Sequence, residues 1–510
     1  MSNDDGAHER VLELLSLEGG TNEASVSRVA TETGVAEARV WGAGHFYSLL
    51  GGEPAGVRIC QGLSCRLAGS VEVSDELANL GEAHTRVSCL GQCDRAPVSL
   101  SEDLSLVSHS GRVGSVLPDD SDLPINLGGV PEASFTALAR ARTMGREALL
   151  NELEASGLQG RGGAAFPAHV KWRAMCAQEE AERYLVCNAD EGEPGTFKDR
   201  DVLLRRPDLL VQGFAIAALT VQARETVIYI RGEFKEERAN LEKALKENEE
   251  HFQGTPVRIV VGHGAYICGE ETALLESMEG RRGMPRLKPP FPTDAGYRDK
   301  PTLVHNVETL ACLPSIVERG GEWFRSQGRT EAGTKLYSLS GHVNHAGVYE
   351  LPLGVTLDEL VDAAGGYQGT PLAFSPGGAS SGFLPISHRD TPMDYGSMAR
   401  VGSMLGSAGV VVLNDTVDIA EAVLWQAEFF EEESCGQCAP CRIGTRYVRQ
   451  TIERYLEHGD PGLLDRINDV AWEMDEGSIC GLGMVAAEPL QSARRHFPAS
   501  FGKRTDRRHP

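Results

Sequence analysis

Val227-Ile-Tyr-Ile230 and Val257-Arg-Ile-Val-Val261 are short apolar runs separated by a charged, helix-forming stretch, residues 234–252. The second runs straight into Gly262-His263-Gly264-Ala265-Tyr266-Ile267-Cys268-Gly269-Glu270-Glu271. Val186 opens the same pattern upstream. Short runs rich in β-branched residues, alternating with helical segments, read as buried strands of a layered α/β domain. The glycine loop leads into a helix opened by Glu270 and Glu271, where the helix dipole favours anions. Ile stands at 267 and the third glycine comes two residues late, so the loop is not a G-x-G-x-x-G fingerprint.

Three neighbouring stretches carry the chemistry of this domain. Leu158-Gln-Gly160-Arg161-Gly162-Gly163-Ala-Ala-Phe166-Pro167 places three glycines around an arginine, ahead of a helical stretch at 168–178. Glycines let the backbone approach an anion, and a following helix N-terminus favours phosphate. A plain turn is the alternative. Cys187-Asn188-Ala-Asp190-Glu191-Gly-Glu193-Pro-Gly195 follows a strand and reads as a set of acceptors or as a metal-free acidic loop. Pro285-Arg-Leu-Lys288-Pro-Pro-Phe291-Pro292 is stiff, with cations and one ring, and reads as a wall for a planar ligand or as a rigid surface loop.

Eight of the twelve cysteines fall in two sets. Cys435-Gly-Gln-Cys438-Ala-Pro-Cys441 follows the acidic run Glu431–Glu433, and Cys480 lies in Gly477-Ser-Ile-Cys-Gly-Leu-Gly. This C-x2-C-x2-C spacing with a distant fourth thiolate suits an iron–sulfur cluster or a tetrahedral zinc. The other set is Cys60-x4-Cys65 and Cys89-x3-Cys93, in a small α/β unit with strands at Val57–Ile59, Arg86–Ser88 and Pro97–Leu100 and a helix at 67–80. Its wider spacings lean towards a two-iron cluster, with zinc as the alternative. Cys176, Cys187, Cys268 and Cys312 read as small buried hydrophobes.

The remaining chain fits around these units. Residues 8–50 form short helices, Gly51-Gly-Glu-Pro54 reads as a linker, 115–135 as a boundary, and the end at Arg507-Arg508 as a frayed tail. Short strands with a helix at Leu357–Ala364 make 335–415 a small α+β module, and 416–497 is mostly helical. A net charge of −24 and a pI near 5.1 argue against nucleic-acid binding. No secretory signal is visible, and no apolar run approaches the roughly 18 residues that span a bilayer, so a cytoplasmic protein without disulfides is expected.

Taken together, these motifs resemble the NADH-oxidising flavoprotein subunit of complex I and its relatives in NAD-linked formate dehydrogenases and NAD-reducing hydrogenases. Gly160–Gly163 through Lys171-Trp172, the Cys187–Gly195 and Gly264–Glu271 runs, Lys288–Pro292, Val304-His305-Asn306-Val-Glu-Thr309 and the Cys435 set carry the match. Residues 8–107 resemble a thioredoxin-like [2Fe–2S] subunit fused to it. The 23 residues between Cys65 and Cys89 are fewer than usual, as if a β-hairpin were deleted.

The resemblance implies a multidomain α/β and α+β protein. Its parts are a helical segment (1–52), a thioredoxin-like [2Fe–2S] domain (53–115), a Rossmann-like FMN and NAD domain (125–333), a ubiquitin-like β-grasp domain (334–415) and a helical [4Fe–4S] domain (416–500). It implies FMN held by Gly160, Arg161, Gly162, Gly163, Lys171, Asn188, Asp190, Glu191, Gly269, Glu270, Glu271, Val304, His305, Asn306 and Thr309. The family commonly has Asn where His305 stands. NAD would lie against Phe166, Glu193, Tyr266, Lys288 and Phe291, with Glu193 and Glu271 as candidate catalytic carboxylates. Cys435, Cys438, Cys441 and Cys480 would hold [4Fe–4S], and Cys60, Cys65, Cys89 and Cys93 [2Fe–2S]. A flavin belongs between a two-electron hydride donor and one-electron clusters. The implied partners are a catalytic subunit with its own redox site, molybdenum formate dehydrogenase first and hydrogenase next, and further iron–sulfur subunits. A zinc-stabilised, non-catalytic assembly protein is the alternative from another class.

Overall fold

The structure is a computed structural model that describes residues 5–51, 56–111, 117, 119–132 and 134–503. The linker at 51–54 and the tail at 507–508 lie largely or wholly outside the described residues, and the boundary at 115–135 lies partly outside.

Three sheets organise the chain. The first contains β1 (Val57–Cys60), β2 (His84–Val87), β3 (Val98–Leu100) and β4 (Leu106–Ser108), in the order β2-β1-β3-β4. β1 and β2 are parallel, while β3 runs antiparallel to both β1 and β4. Between Cys65 and Cys89 lie only the end of one short helix, the helix Ser70–Leu80 and β2; the sheet's hairpin is β3–β4, further on. The helix expected at 67–80 is two helices, Leu63–Leu67 and Ser70–Leu80. They break at Gly69, whose φ of 94° is in the left-handed region. β2 starts two residues before the strand expected at Arg86, and β4 is a strand beyond those expected from the sequence.

The second sheet contains β5 (Tyr184–Ala189), β6 (Glu225–Ile230), β7 (Val257–Val261) and β8 (Thr302–Asn306). All its pairings are parallel and its order is β7-β6-β5-β8. Parallel strands are covered on both faces, which explains why β5 and β6 read as continuous apolar runs. One face packs on the helix Pro207–Val221, which is buried almost throughout. Strand order reverses between β5 and β8, and open α/β sheets bind ligands at such a switch point, beyond the carboxyl ends of the strands.

The third sheet contains β9 (Thr334–Gly341), β10 (Gly347–Pro352), β11 (Pro371–Ser375), β12 (Leu384–Pro385) and β13 (Gly409–Asn414), in the order β10-β9-β13-β11-β12. A hairpin, the helix Leu357–Ala363 and a parallel β9–β13 pair give the mixed sheet expected of the ubiquitin-like module. The helices Ile419–Glu432, Ala439–His458, Ile467–Gly477, Gly481–Val485 and Glu488–His496 complete the chain's helical end.

The N-terminal helices pack on the flavin-type sheet and not on the small sheet they precede. Val11, Leu15, Val40 and Tyr47 share one core with Tyr184, Tyr229 and Leu274. Glu9 forks onto Arg298 at 2.7 Å on each oxygen, and Tyr47 donates its hydroxyl to the carbonyl of Arg281 at 2.6 Å. The small sheet keeps its own core of Cys60, Cys65, Leu90, Val98 and Leu100.

Candidate functional site

The carboxyl ends of the parallel strands gather the predicted residues. β5 delivers Asn188 and then Asp190, Glu191 and Glu193; β8 delivers His305 and Asn306 across the switch point, with Asn188 paired in register to Asn306. The glycine loop crosses the same gap. A Cβ on Gly162 would lie 3.2 Å from the Asn306 Cβ, a tight contact that glycine avoids. The Arg161 backbone N–H donates to Thr309 Oγ1 at 2.9 Å. The loop closes on itself through Gly160 N–H to Phe166 O at 2.9 Å, and the helix Ala168–Ala177 starts only after it.

The Arg161 side chain turns inward. It is fully buried, donates through Nη2 to Ala332 O at 2.8 Å, and lies beside Tyr395 and Glu308; its Nε and Nη1 have no partner. Lys171 therefore supplies the outward cation. It donates to Glu271 Oε2 at 2.7 Å and to the Val304 carbonyl at 3.4 Å, while Lys288 meets Glu270 at 2.8 Å and Glu271 at 2.9 Å. Burial raises the Glu271 carboxyl, but the two lysines outweigh it and hold its pKa at about 2. Glu270 caps the helix Glu271–Met278, accepting from the backbone N–H groups of Thr272 and Ala273 at 2.8 and 2.9 Å.

The acidic wall is different. Asn188 donates to Gly269 O at 2.8 Å and accepts from Asp190 N at 3.1 Å. Asp190 Oδ2 is buried with no partner, and burial pushes the group up to about 8. Glu193 accepts from the Tyr266 hydroxyl and from Ser380 N, the latter at 2.9 Å, and burial raises its pKa. Phe166 and Phe291 are about half exposed at the rim. His305 Nε2 accepts from Trp172 Nε1 at 2.8 Å, which leaves Nδ1 to carry the proton; burial and then Lys171 lower its pKa to about 3, so the ring is neutral.

Sequence reasoning missed the floor beneath this wall. Glu191 accepts from the backbone N–H groups of Asp199 at 2.9 Å and Arg200 at 3.1 Å. Lys198 bridges Asp199 at 2.7 Å and Glu308 at 3.1 Å, and Lys335 of β9 also pairs with Glu308; Asn306 donates to Asp199 at 2.6 Å. All four charged groups in this chain of contacts are buried. The signal is the mixed-sign run Lys198-Asp-Arg-Asp201 directly after the acidic loop. Such a run reads as a solvated helix face unless its partners are known.

Both cysteine sets converge. Cys435, Cys438, Cys441 and Cys480 line one apolar pocket with Ile267, the neighbour of Tyr266, and Pro285. Burial pushes Cys441 up to about 12 and Cys480 to about 11, so a metal centre must supply the charge that holds them as thiolates. Among the described residues no three His, Cys, Asp or Glu side chains are grouped to hold a single ion. Cys60 lies within hydrogen-bonding reach of Cys65 and Cys89, and all four thiols of that set are buried. Four-thiol donor sets fit iron–sulfur clusters. The unpartnered Asp190 oxygen, the Gly162 cradle and Lys171 fit a phosphorylated flavin with a hydrogen-bonding ring edge.

These features define an oxidoreductase that carries NAD(H), FMN, a [2Fe–2S] and a [4Fe–4S] cluster. Comparison with known proteins bears this out. The Nuo51 FMN-binding domain matches residues 153–315, the NADH-ubiquinone oxidoreductase-F iron-sulfur binding region 421–504, the SLBB domain 336–384 and the thioredoxin-like [2Fe-2S] ferredoxin 10–110. The F 1 subunit of NADH-quinone oxidoreductase from Rhizobium meliloti is 41% identical over 77% of this chain and 96% of its own length. The F-type subunit of the NADH-quinone oxidoreductase of Streptomyces coelicolor is 42% identical over 72% and 85%. A chain from the crystal structure of an air-oxidised NAD+-reducing [NiFe]-hydrogenase superposes with a TM-score of 0.90 at 28% identity, covering 98% of this chain and 94% of that one. The chain belongs to the family of F-type subunits of NADH-quinone oxidoreductase. The reading as a zinc-stabilised assembly protein gives way to this. No helix among the described residues is long and apolar enough to cross a membrane.

Proposed function

We propose that this chain is the NAD(H)-handling subunit of a larger assembly whose other redox site lies on a partner. The observation that carries this is the gathering of Asn188, Asn306 and the Gly162 loop at the carboxyl ends of β5 and β8, with Asn188 bonded to Gly269 in the loop whose Ile267 lines the four-cysteine pocket. When bound, FMN supplies the ability to accept a hydride and release single electrons. The chain's residues do the rest. Gly160–Gly163 and Lys171 bind the phosphate end, and Asn188, Asp190, Gly269 and Asn306 orient the ring and ribityl chain. Raised towards 8, Asp190 holds its proton at neutral pH and can donate from Oδ2. Thr309, Val304, His305, Glu191, Glu270 and Glu271 position these groups from behind. Phe166, Phe291, Tyr266, Glu193 and Lys288 line the nicotinamide nucleotide, so stacking sets the hydride distance without an acid or base. The two cysteine sets hold the clusters, and the domain limits given above belong to the same proposal.

The partner is the finer question. A molybdenum formate dehydrogenase catalytic subunit is our first reading, from the fused [2Fe–2S] unit. A hydrogenase is the second, favoured by the end-to-end likeness to the hydrogenase chain. Native co-purification, followed by NAD+ reduction with formate or with hydrogen, decides between them. Formate-dependent reduction supports the first reading; activity with hydrogen alone replaces it with the second. Activity with neither, in an assembly that still oxidises NADH, rejects both.

A further inference from the structure

Lys335 stands on β9, the first strand of the ubiquitin-like module, and is 0% exposed. An unpaired ammonium buried on a strand is costly, and an apolar residue would serve the module's own core as well. Its charge partner lies in the flavin domain. Lys335 Nζ donates to Glu308 Oε2, on the short helix after β8, and to the Leu336 carbonyl at 3.0 Å. Glu308 Oε1 accepts from Leu336 N at 2.9 Å, and Oε2 also lies 3.1 Å from Lys198 Nζ. Lys198 donates to Asp199 Oδ1 at 2.7 Å and to Asn306 Oδ1 at 3.4 Å, and Asn306 is the residue that Gly162 approaches. The module grips this region at two further points. Phe197 N donates to Ser338 Oγ at 3.0 Å, and the Tyr395 hydroxyl donates to the Gly160 carbonyl at 3.4 Å.

Charge in this floor is unevenly balanced. Lys198 and Lys335 share the carboxylates of Asp199 and Glu308, and Arg161 lies beside Glu308 as a third cation. Glu191 is 4.0 Å from Lys198 but accepts from the backbone N–H groups of Asp199 and Arg200; burial and Asp199 raise its pKa to about 7. One positive charge is therefore left over behind Gly160–Gly163 whenever Glu191 holds its proton. A buried charge is screened little by solvent or salt, so it reaches an anion on the other side of a glycine turn. We propose that Lys335 is a positioning residue for FMN: by sharing Glu308 it leaves Lys198 and Arg161 in excess, and this surplus holds the phosphate from behind the loop. The ubiquitin-like module is thus part of the flavin pocket, supplying charge in place of a direct contact. This rests on the phosphate placement proposed above.

The test is flavin binding to the full chain stripped of FMN, followed by flavin fluorescence. At about pH 6 Lys335 is charged, because burial lowers its pKa only to about 7. FMN and riboflavin share the ring and ribityl chain and differ in the phosphate. K335M is expected to weaken FMN binding about tenfold and riboflavin binding less than about twofold. K335M/E308Q, which removes one charge of each sign, returns FMN affinity to near the wild-type value. K335Q, which keeps a donor for Glu308, serves if K335M does not fold. Equal losses for FMN and riboflavin, no loss for FMN, or a double variant weaker than the single one overturns the proposal. A wild-type chain that binds FMN no tighter than riboflavin overturns the phosphate placement beneath it.

Discussion

The two cysteine sets differ in surroundings as much as in spacing. Cys60, Cys65, Cys89 and Cys93 are all buried, on strand-to-loop junctions clamped by Arg200 and Arg231. Cys435, Cys438 and Cys480 are only partly buried, in a helical bundle whose nearby surface exposes Ile443, Trp472 and Met484. A site sealed inside the protein suits regulation or storage. A site near the surface suits exchange with another protein. We propose that the helical centre, and not the sealed one, is the outlet for electrons.

The largest expected effect separates them by mutation. C438A should lower electron delivery to an external one-electron protein acceptor by about 10⁴-fold, while C65A should change it by less than about tenfold. Stopped-flow reduction by NADH with the acceptor present measures both, and equal losses would break the comparison. Next is the clamp. R200M leaves Asp94 and Asp201 buried without their cation and should destabilise the chain by about 3–5 kcal/mol in denaturant unfolding. Its counterpart in the bundle, Arg449 with Glu431 and Glu453, is partly exposed, so R449A should cost at most about 1 kcal/mol.

A smaller effect lies in the pocket between the two centres. His305 titrates near 3 when folded and at 6.5 in its reference state, so the unfolded chain binds this proton first as pH falls. Stability is thus complete above the unfolded pKa and is lost as pH drops from 6.5 towards 3. The expected loss from this group is about 2 kcal/mol between about pH 7 and pH 5. H305N removes this contribution, and equal pH slopes in denaturant melts of the two proteins would refute it. The smallest effect is accessibility: mild oxidants should bleach the helical set about tenfold faster than the sealed set, read from the two EPR signals.

Much of this arrangement was legible in the sequence. Parallel strands followed by glycine or acidic loops marked β5, β6 and β7, and the cysteine spacings marked both metal sites. The Cys435 set was legible because three thiols in seven residues have few other uses. What stayed hidden depends on partners far apart in the chain. Arg161 looks like a phosphate ligand because glycines surround it, yet its side chain is drawn inward to the Ala332 carbonyl and to Glu308 on the helix after β8. Lys198, Glu308 and Lys335 carry no local sign of burial, because each is neutralised by a residue from another element. The N-terminal helices read as part of the small α/β unit that follows them, but Glu9 and Tyr47 find their partners some 230 to 290 residues away on the flavin domain.

Anaerobic NADH titration of the purified full chain, followed by visible absorption and EPR, tests the central claim most directly. The account predicts loss of flavin absorption together with two distinct reduced-cluster signals, in a protein with about six irons per chain. A chain that binds NADH but stays colourless, or that holds zinc in place of iron, would contradict it.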